Sequence, residues 1–310
     1  MPSRDGIGMG IVGNRKSVIC SCCGTEHVIK WGKRYNKSRI KQRYQCQDCT
    51  AKNGRIVTFT PNDGFLRKRY HEDIIVEAAS LHVRGLSGSE TADHMWQIHG
   101  TKMHRTTVTR WNVGYSYLVK NYTDRLEPEI KGNIHSDEVI VKVCGHKEHR
   151  WGFIDAKTKY KISGRLTKKR TYKDGAKPLY YKLRHKCKGT PPKIISDKLG
   201  HYRRAFNKYF YKTTAKMVHG VPIACKKYGL EHNNNPAERD NARVKQRTKT
   251  MRGFGAHKTA EAFLDMLDIH HNYIKPSMSL DGRYPAEEAG IRLNLGRNRL
   301  LSLIHLASFR

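Results

Sequence analysis

Three carboxylates stand out in a chain that is poor in them. Lys and Arg number 60 of 310 residues, Asp and Glu only 27, and the net charge is +33. Yet Asp137 and Asp197 each adjoin an apolar, β-prone stretch, in "NIHSDEVIVKV" and "PPKIISDKLGHYRRAF", and Glu238 heads the helical pattern "NNNPAERDNARVKQR". Brought together, such carboxylates would hold two divalent ions about 4 Å apart, which orient a water or hydroxyl and stabilise the oxygen leaving a phosphodiester. All-oxygen ligands favour Mg²⁺, with Mn²⁺ as its substitute. Glu238 also has a plain structural reading. With Asn235 as N-cap, Pro236 takes the first helical position and Glu238 the third, an Asn version of the capping box that also suits the helix dipole.

A second constellation is made of sulfur. Cys20 and Cys23 form one C-x-x-C, and Cys46 and Cys49, in "RYQCQDCT", form another. Their separation predicts a zinc ribbon, with four thiolates around one tetrahedral, structural Zn²⁺. Cys22, in "CSCC", offers a second possible ligand, and spacing favours Cys23. So polar a loop could scarcely hold itself together without the metal. Cys144, Cys187 and Cys225 are scattered singly and read as packing residues.

The elements that must position these groups can be read from the patterning. Residues 66–125 carry three helical stretches. The first, "HEDIIVEAASLHVRG", ends at Gly85. The second, "SGSETADHMWQIHG", ends at Gly100, and the third is "HRTTVTRWNVGYSYLVKNY". Two short helices joined across a tight glycine turn suit a helix-turn-helix. Thr106, Thr107, Thr109 and Arg110 would then face the DNA major groove, with Val108 and Trp111 packing inward. After them come three strands with Asp137 on the first, a helix over about 173–186, and a short strand ending at Asp197. A helix, a possible fifth strand in "KMVHGVP" and the Glu238 helix follow. This is the element order of an RNase H-like α/β core, a mixed five-stranded sheet with helices, in which the first and fourth strands are neighbours. Glu138 should point to the opposite sheet face from Asp137.

The charge excess is costly in self-repulsion unless a polyanion neutralises it, and nucleic acid is the obvious partner. No strongly apolar amphipathic helix supports a membrane-surface role, and the opening "MPSRDGIGMGIVG" lacks the apolar core of a signal peptide. The tail "LLSLIHLASF" is too short to span a bilayer. The expectation is a soluble, cytoplasmic protein, with cysteines used for metal or as buried thiols rather than disulfides.

With these motifs in view, the sequence resembles the DDE transposases of insertion sequences, integrase-like enzymes of bacteria and archaea. The resemblance covers most of the chain: the ribbon with "WGK" and "QRYQC", the helix-turn-helix with "TTVTRW", the carboxylates, and a closing segment "MRGFGAHKTAEAFLDMLDIHHNYIKPSMSLDGRYPAEEAGI". It implies that Asp137 in "SDE", Asp197 in "IISD" and Glu238 are the metal-binding catalytic triad. The family often places a Lys or Arg seven residues after the glutamate, and Lys245 stands there. Two helical turns put Glu238 and Lys245 on one face, about 10 Å apart, so Lys245 would reach a DNA phosphate while Arg239 and Arg243 add positive charge around that helix. The family implies binding of double-stranded DNA at the element's terminal inverted repeats and at the target, metal-dependent strand cleavage and strand transfer, a homo-oligomer on DNA, and a nucleoid-associated location in a prokaryote. The alternative is a zinc-ribbon, helix-turn-helix transcription regulator derived from such an enzyme with a decayed core.

The expected organisation is a flexible segment 1–17, a zinc ribbon 18–62, a helix-turn-helix domain 66–125, the RNase H-like catalytic domain 130–290 and a C-terminal tail 291–310. Among the neighbours, Asp155 reads as a turn residue. His270 and His271 read as packing or locally hydrogen-bonded residues, and Glu287 and Glu288 as a helix start beside a proline. His201 and Tyr202 are candidates for touching DNA.

Overall fold

The computed structural model describes residues 18–35, 40–197, 199–220 and 233–308. The segment 1–17 and Cys225 lie outside the described residues. The chain divides into two compact units, one up to His71 and one from Glu72 onward.

The first unit is a small antiparallel sheet in the order β1-β2-β3, formed by β1 (Val28–Tyr35), β2 (Ile40–Cys46) and β3 (Thr58–Phe59), with helix α1 (Gln47–Asn53) following β2. It has little apolar core. Cys20, Cys46 and Cys49 are its centre, and Val28, Val57 and Phe59 pack against them. Phe65 is also buried in this unit, but around the cluster itself three buried thiols and three half-buried side chains bury too little to offset the ordering of that chain length, so the cysteines must do more than pack.

The second unit begins with α2 (Glu72–Arg84), α3 (Gly88–His99) and α4 (Arg105–Thr123). Helix α3 opens on a capping box between Ser87 and Glu90 and closes on Gly100 in the left-handed conformation, which glycine adopts without cost. There follow β4 (Ile134–Val143), β5 (His146–Asp155), β6 (Lys161–Thr167), α5 (Lys177–His185), β7 (Lys193–Ser196), α6 (Gly200–Tyr209), β8 (Lys216–His219), α7 (Asn235–Thr250), α8 (His257–Ile269), α9 (Pro285–Glu288) and α10 (Arg299–Ser308). The sheet order is β6-β5-β4-β7-β8, with β4, β5 and β6 antiparallel and β7 and β8 parallel to β4. This is the mixed five-stranded, RNase H-like arrangement expected from the element order.

Strand alternation sorts the helices onto two faces. On one face Trp151 meets Tyr202 of α6 and Phe153 meets Tyr180 of α5, with ring centroids 5.6 and 5.0 Å apart. On the other, Arg150 of β5 pairs with Asp265 and Asp268 of α8 at 3.2 and 2.5 Å. There Lys161 of β6 bridges Asp268 at 2.9 Å and Asp240 of α7 at 2.5 Å. These charges are almost fully buried, and burial opposes ionisation. The cations win: Lys161 holds both Asp240 and Asp268 below the ordinary carboxylate range. The network fastens α7 and α8 to the sheet.

Two expected boundaries are corrected. Residues 66–125 are not a domain apart from 130–290. Helix α4 runs on from its exposed start into the core, where the Ser116 hydroxyl donates to the Ala262 carbonyl of α8 at 2.6 Å, and Val119 is fully buried. Nor does 291–310 form a mere tail: α10 buries Leu300, Leu303, Ile304 and Ala307 and packs on α2 and α4. Among the described residues no helix is long and apolar enough to cross a membrane.

Candidate active site

Asp137 lies within β4, opposite Gly152 of β5. The ideal Cβ position of Gly152 faces Lys161 and Asp240, so Asp137 points to the α7 side of the sheet. Glu138, opposite Trp151, points the other way, as the alternation requires. Asp197 directly follows β7. Strands β4 and β7 are parallel neighbours with His135 paired to Ile195, so Asp137 and Asp197 stand at the same level. Burial raises the Asp137 carboxyl to about 6, and the negative charges of Asp197 and Glu138 push it the same way. The bond from the Glu138 amide and the Asn241 side chain partly offset this.

The start of α7 is held against β4 from both sides of Glu238. The Asn234 amide group donates to the Ser136 carbonyl at 3.2 Å, and its oxygen lies 3.2 Å from Nδ1 of His135. One helical turn beyond Glu238, Asn241 donates to Oδ2 of Asp137 at 2.7 Å. Asn234, Glu238 and Asn241 are spaced four and three residues apart and so share one helix face. That face lies on β4 at Asp137. Here the capping-box reading of Glu238 is corrected. The N-cap is Asn234, not Asn235, and no side chain caps the helix, because Asn234 spends its amide group across the sheet. Glu238, half-buried, is not used as a cap.

Lys245 lies on this same face and is exposed. Arg243 does not belong to it: it pairs with Asp240 on the buried side of α7. With Arg239, Lys159, Lys275 and His270 it lines a hollow of about 540 Å³. On the far side of the carboxylates, Arg170 pairs with Glu138 and comes within 3.8 Å of Asp197. A second hollow of about 560 Å³ opens beside Asp197, lined by Arg203, Asn207 and His219 among others. Tyr202 is corrected: it is fully buried, packed on Trp151, and offers nothing to DNA. His201 is partly exposed.

The neighbouring residues mostly fall where the sequence puts them. Asp155 is a buried turn residue that accepts the backbone N–H groups of Lys131, Gly132, Lys157 and Thr158. Burial depresses the imidazoles of His270 and His271 to about 4 and about 3, and His271 bonds the Lys159 carbonyl. Glu287 and Glu288 lie in α9, paired with Arg299 and Arg283. Cys187 packs, and burial pushes its thiol up to about 12. Cys144 does not pack: it is exposed, at the turn between β4 and β5. The positioning residues Asn234 and Asn241 and the Arg150–Asp268–Lys161–Asp240 network were not foreseen. The spacing of Asn234 and Asn241 around Glu238 is the one signal that marked them.

In the N-terminal unit the sulfur atoms of Cys20, Cys23, Cys46 and Cys49 lie within 4.8 Å of one another. Cys20 and Cys49 are 3.9 Å apart, and Cys23 and Cys46 are 3.4 Å apart. A tetrahedral Zn²⁺ with bonds of about 2.3 Å requires sulfurs about 3.8 Å apart, and the cluster fits it. The amides of Cys22 and Cys49 donate to the sulfurs of Cys20 and Cys46, bonds that favour thiolate. Cys22 itself is exposed and stands outside the cluster. At the start of α4, Thr106 and Arg110 are exposed and Thr107 and Thr109 are half-buried. Val108 and Trp111 are buried beneath them.

Residues 132–277 match the family DDE_Tnp_IS240, a DDE domain. No curated protein matches the chain. Among solved structures, the HTLV-2 integrase catalytic core domain in complex with magnesium is similar at 14% identity and a TM-score of 0.35, covering 53% of this chain and 97% of that one. The simian T-cell lymphotropic virus intasome in complex with PP2A regulatory subunit B56 gamma is similar at 12% identity and a TM-score of 0.38, covering 70% of this chain and 76% of that one. The matched segment contains β4, β7 and the start of α7, and with them all three carboxylates. Residues 132–277 are therefore similar to a DDE domain, and they contain the whole mixed sheet in the order β6-β5-β4-β7-β8.

Proposed function

We propose that this protein binds the ends of a DNA element and carries out metal-dependent strand cleavage followed by strand transfer, with Asp137, Asp197 and Glu238 as its catalytic residues. The observation that carries this reading is the meeting of Asp137, at the level of Asp197, with the helix face that bears Glu238. The donor set is three carboxylates, the hard-oxygen chemistry that Mg²⁺ prefers. Two such ions would supply an activated nucleophile and charge stabilisation at the leaving oxygen.

The chain's own residues do the rest. Asn234 and Asn241 fix α7, and the buried ion network behind it prevents the helix from rolling. In cleavage, water attacks the phosphorus at the element's end and a 3′-hydroxyl departs. That hydroxyl then attacks a phosphodiester of the target, joining the element's 3′ end to the target's 5′-phosphate and displacing a target 3′-hydroxyl. Lys245 holds a backbone phosphate within reach of Glu238. Thr106, Thr107, Thr109 and Arg110 read the terminal repeat in the major groove, and the N-terminal ribbon, held by Zn²⁺ at Cys20, Cys23, Cys46 and Cys49, adds phosphate contacts. Both element ends must be joined to one target, which calls for a homo-oligomer on double-stranded DNA.

The test is a strand-transfer assay on a duplex carrying the inverted repeats that flank this gene, with Mg²⁺ or Mn²⁺. Asp137→Ala, Asp197→Ala and Glu238→Ala should each abolish both products while leaving end-binding nearly intact, with effects similar in size and not additive. Products formed by any one of these variants at the wild-type rate would remove that residue from the site.

A further inference from the structure

Away from the carboxylates and the cysteine cluster, another group of ligating side chains converges on the helices that precede the sheet. Glu77 lies on α2, and His94 and His99 lie on α3. Nε2 of His94 is 3.2 Å from Oε1 of Glu77, and Nε2 of His99 is 2.9 Å from Oε2 of the same carboxylate. The ligand atoms all fall within 4.8 Å of one another. Nothing in the proposed catalysis uses them.

Helical spacing does not explain this convergence. His94 and His99 are five residues apart, about 140° around a helix, so a regular helix would aim them in different directions. His99 is the last residue of α3, before the left-handed Gly100, and its ring turns back to the carboxylate that His94 already meets. The two rings end with centroids 6.5 Å apart at 69°, each presenting an ε-nitrogen to one oxygen of the same carboxylate.

We propose that Glu77, His94 and His99 form a second metal site, separate from the cysteine cluster, that takes Zn²⁺ or a similar borderline divalent ion. Two imidazoles and a carboxylate are a ligand set that suits zinc, and three protein ligands leave a fourth position for water. Tetrahedral bonds of about 2.0–2.2 Å place ligand atoms about 3.4 Å apart, against 3.2 and 2.9 Å from the rings to the two carboxylate oxygens. The nitrogens that now share the carboxylate are the ones that would bind the ion, so filling the site exchanges two hydrogen bonds for three metal bonds without moving a ring far. The side chains of Glu77, His94 and His99 are 37%, 34% and 31% exposed, which leaves the ion a path in and room for its water. The bound ion would tie α2 to α3, the helix pair from which α4 is presented.

The experiment is a metal count on the full chain, loaded with Zn²⁺ and freed of loose metal by gel filtration. Wild type should hold one equivalent more than His99→Ala or the double variant His94→Ala/His99→Ala. Loading with Co²⁺ gives a second readout. The site should contribute weak visible bands without thiolate charge transfer, and these should vanish in the same variants while any thiolate bands remain. Glu77→Gln keeps the side chain's shape, with an oxygen for one ring and an amide NH2 towards the other, and so guards against a folding defect, yet it loses the charge and should lose the extra equivalent. The same zinc content and the same Co²⁺ spectrum in wild type, Glu77→Gln and the double histidine variant would overturn the proposal. The failure of the cysteine cluster to bind zinc would lower every count equally and leave the difference intact.

Discussion

Asp137 on β4 and Asp197 at the end of its parallel neighbour β7 stand side by side, each two residues beyond the paired His135 and Ile195. Adjacent strands lie about 4.8 Å apart, so the two carboxylates repel each other across a partly buried space. In the folded protein Asp137 holds its proton up to about pH 6, whereas in the unfolded chain it loses it near 4. The folded state therefore binds more protons between these values, and stability falls as pH rises through that window. Asp137→Asn removes the penalty while keeping an oxygen for Asn241. Without added metal it should raise Tm by several degrees at pH 8, a gain of up to about 3 kcal/mol, and the gain should disappear at pH 3.5. Mg²⁺ should stabilise wild type and not the variant. Thermal melts at the two pH values decide this; equal Tm for both proteins at pH 8 would count against it.

The cysteine cluster makes a second prediction. Among the described residues only the half-buried Val28, Val57 and Phe59 pack against it, so metal binding and folding should be one event there. Cys46→Ser should lose one zinc equivalent and the protection of the backbone amides of β1, β2 and β3 against hydrogen exchange. Cys22→Ser should lose neither, because its sulfur stands outside the cluster. Zinc retained in Cys46→Ser is the result that would sink the assignment.

For DNA the two basic positions should separate. Arg110, exposed on α4, should govern the preference for the element's ends, so Arg110→Ala should cost about 1–3 kcal/mol against the cognate repeat and less against random duplex. Lys245→Ala should leave end-binding nearly unchanged and slow strand transfer. Wild-type strand transfer in Lys245→Ala would remove Lys245 from the site.

Much of the arrangement was legible because it is written in periodicity and spacing. The alternation through "NIHSDEVIVKV" fixes which face Asp137 takes, and the paired C-x-x-C motifs fix the cluster. What escaped were relationships between segments far apart in sequence. Tyr202 looks like a polar residue on a basic helix; only the sheet behind it shows that Trp151 covers it. Arg243 looks like a DNA contact, and its pairing with Asp240 depends on which side of α7 faces Lys161. Helix α4 looks like the end of a small domain, because nothing local shows that its second half packs on α8. The cap at Glu238 failed for the same reason: a capping box is a local pattern, and Asn234 was drawn away by His135 and Ser136, a hundred residues upstream.

That displacement sharpens the last prediction. A capping glutamate replaced by Gln keeps most of its function, and losing a cap costs about 1 kcal/mol. Here no cap bond exists to lose, so Glu238→Gln should change stability by less than about 0.5 kcal/mol, as for a substitution away from any special contact. Its effect on chemistry should be complete. Glutamine occupies the same space on the face between Asn234 and Asn241 but carries no charge for a metal, and with one ligand neutral the ion pair that stabilises the leaving oxygen is not held. The expected outcome is a protein with wild-type Tm, wild-type affinity for the element's ends, and neither cleavage nor strand transfer in Mg²⁺. A less stable but active variant would restore Glu238 to a structural role and leave Asp137 and Asp197 without their third partner.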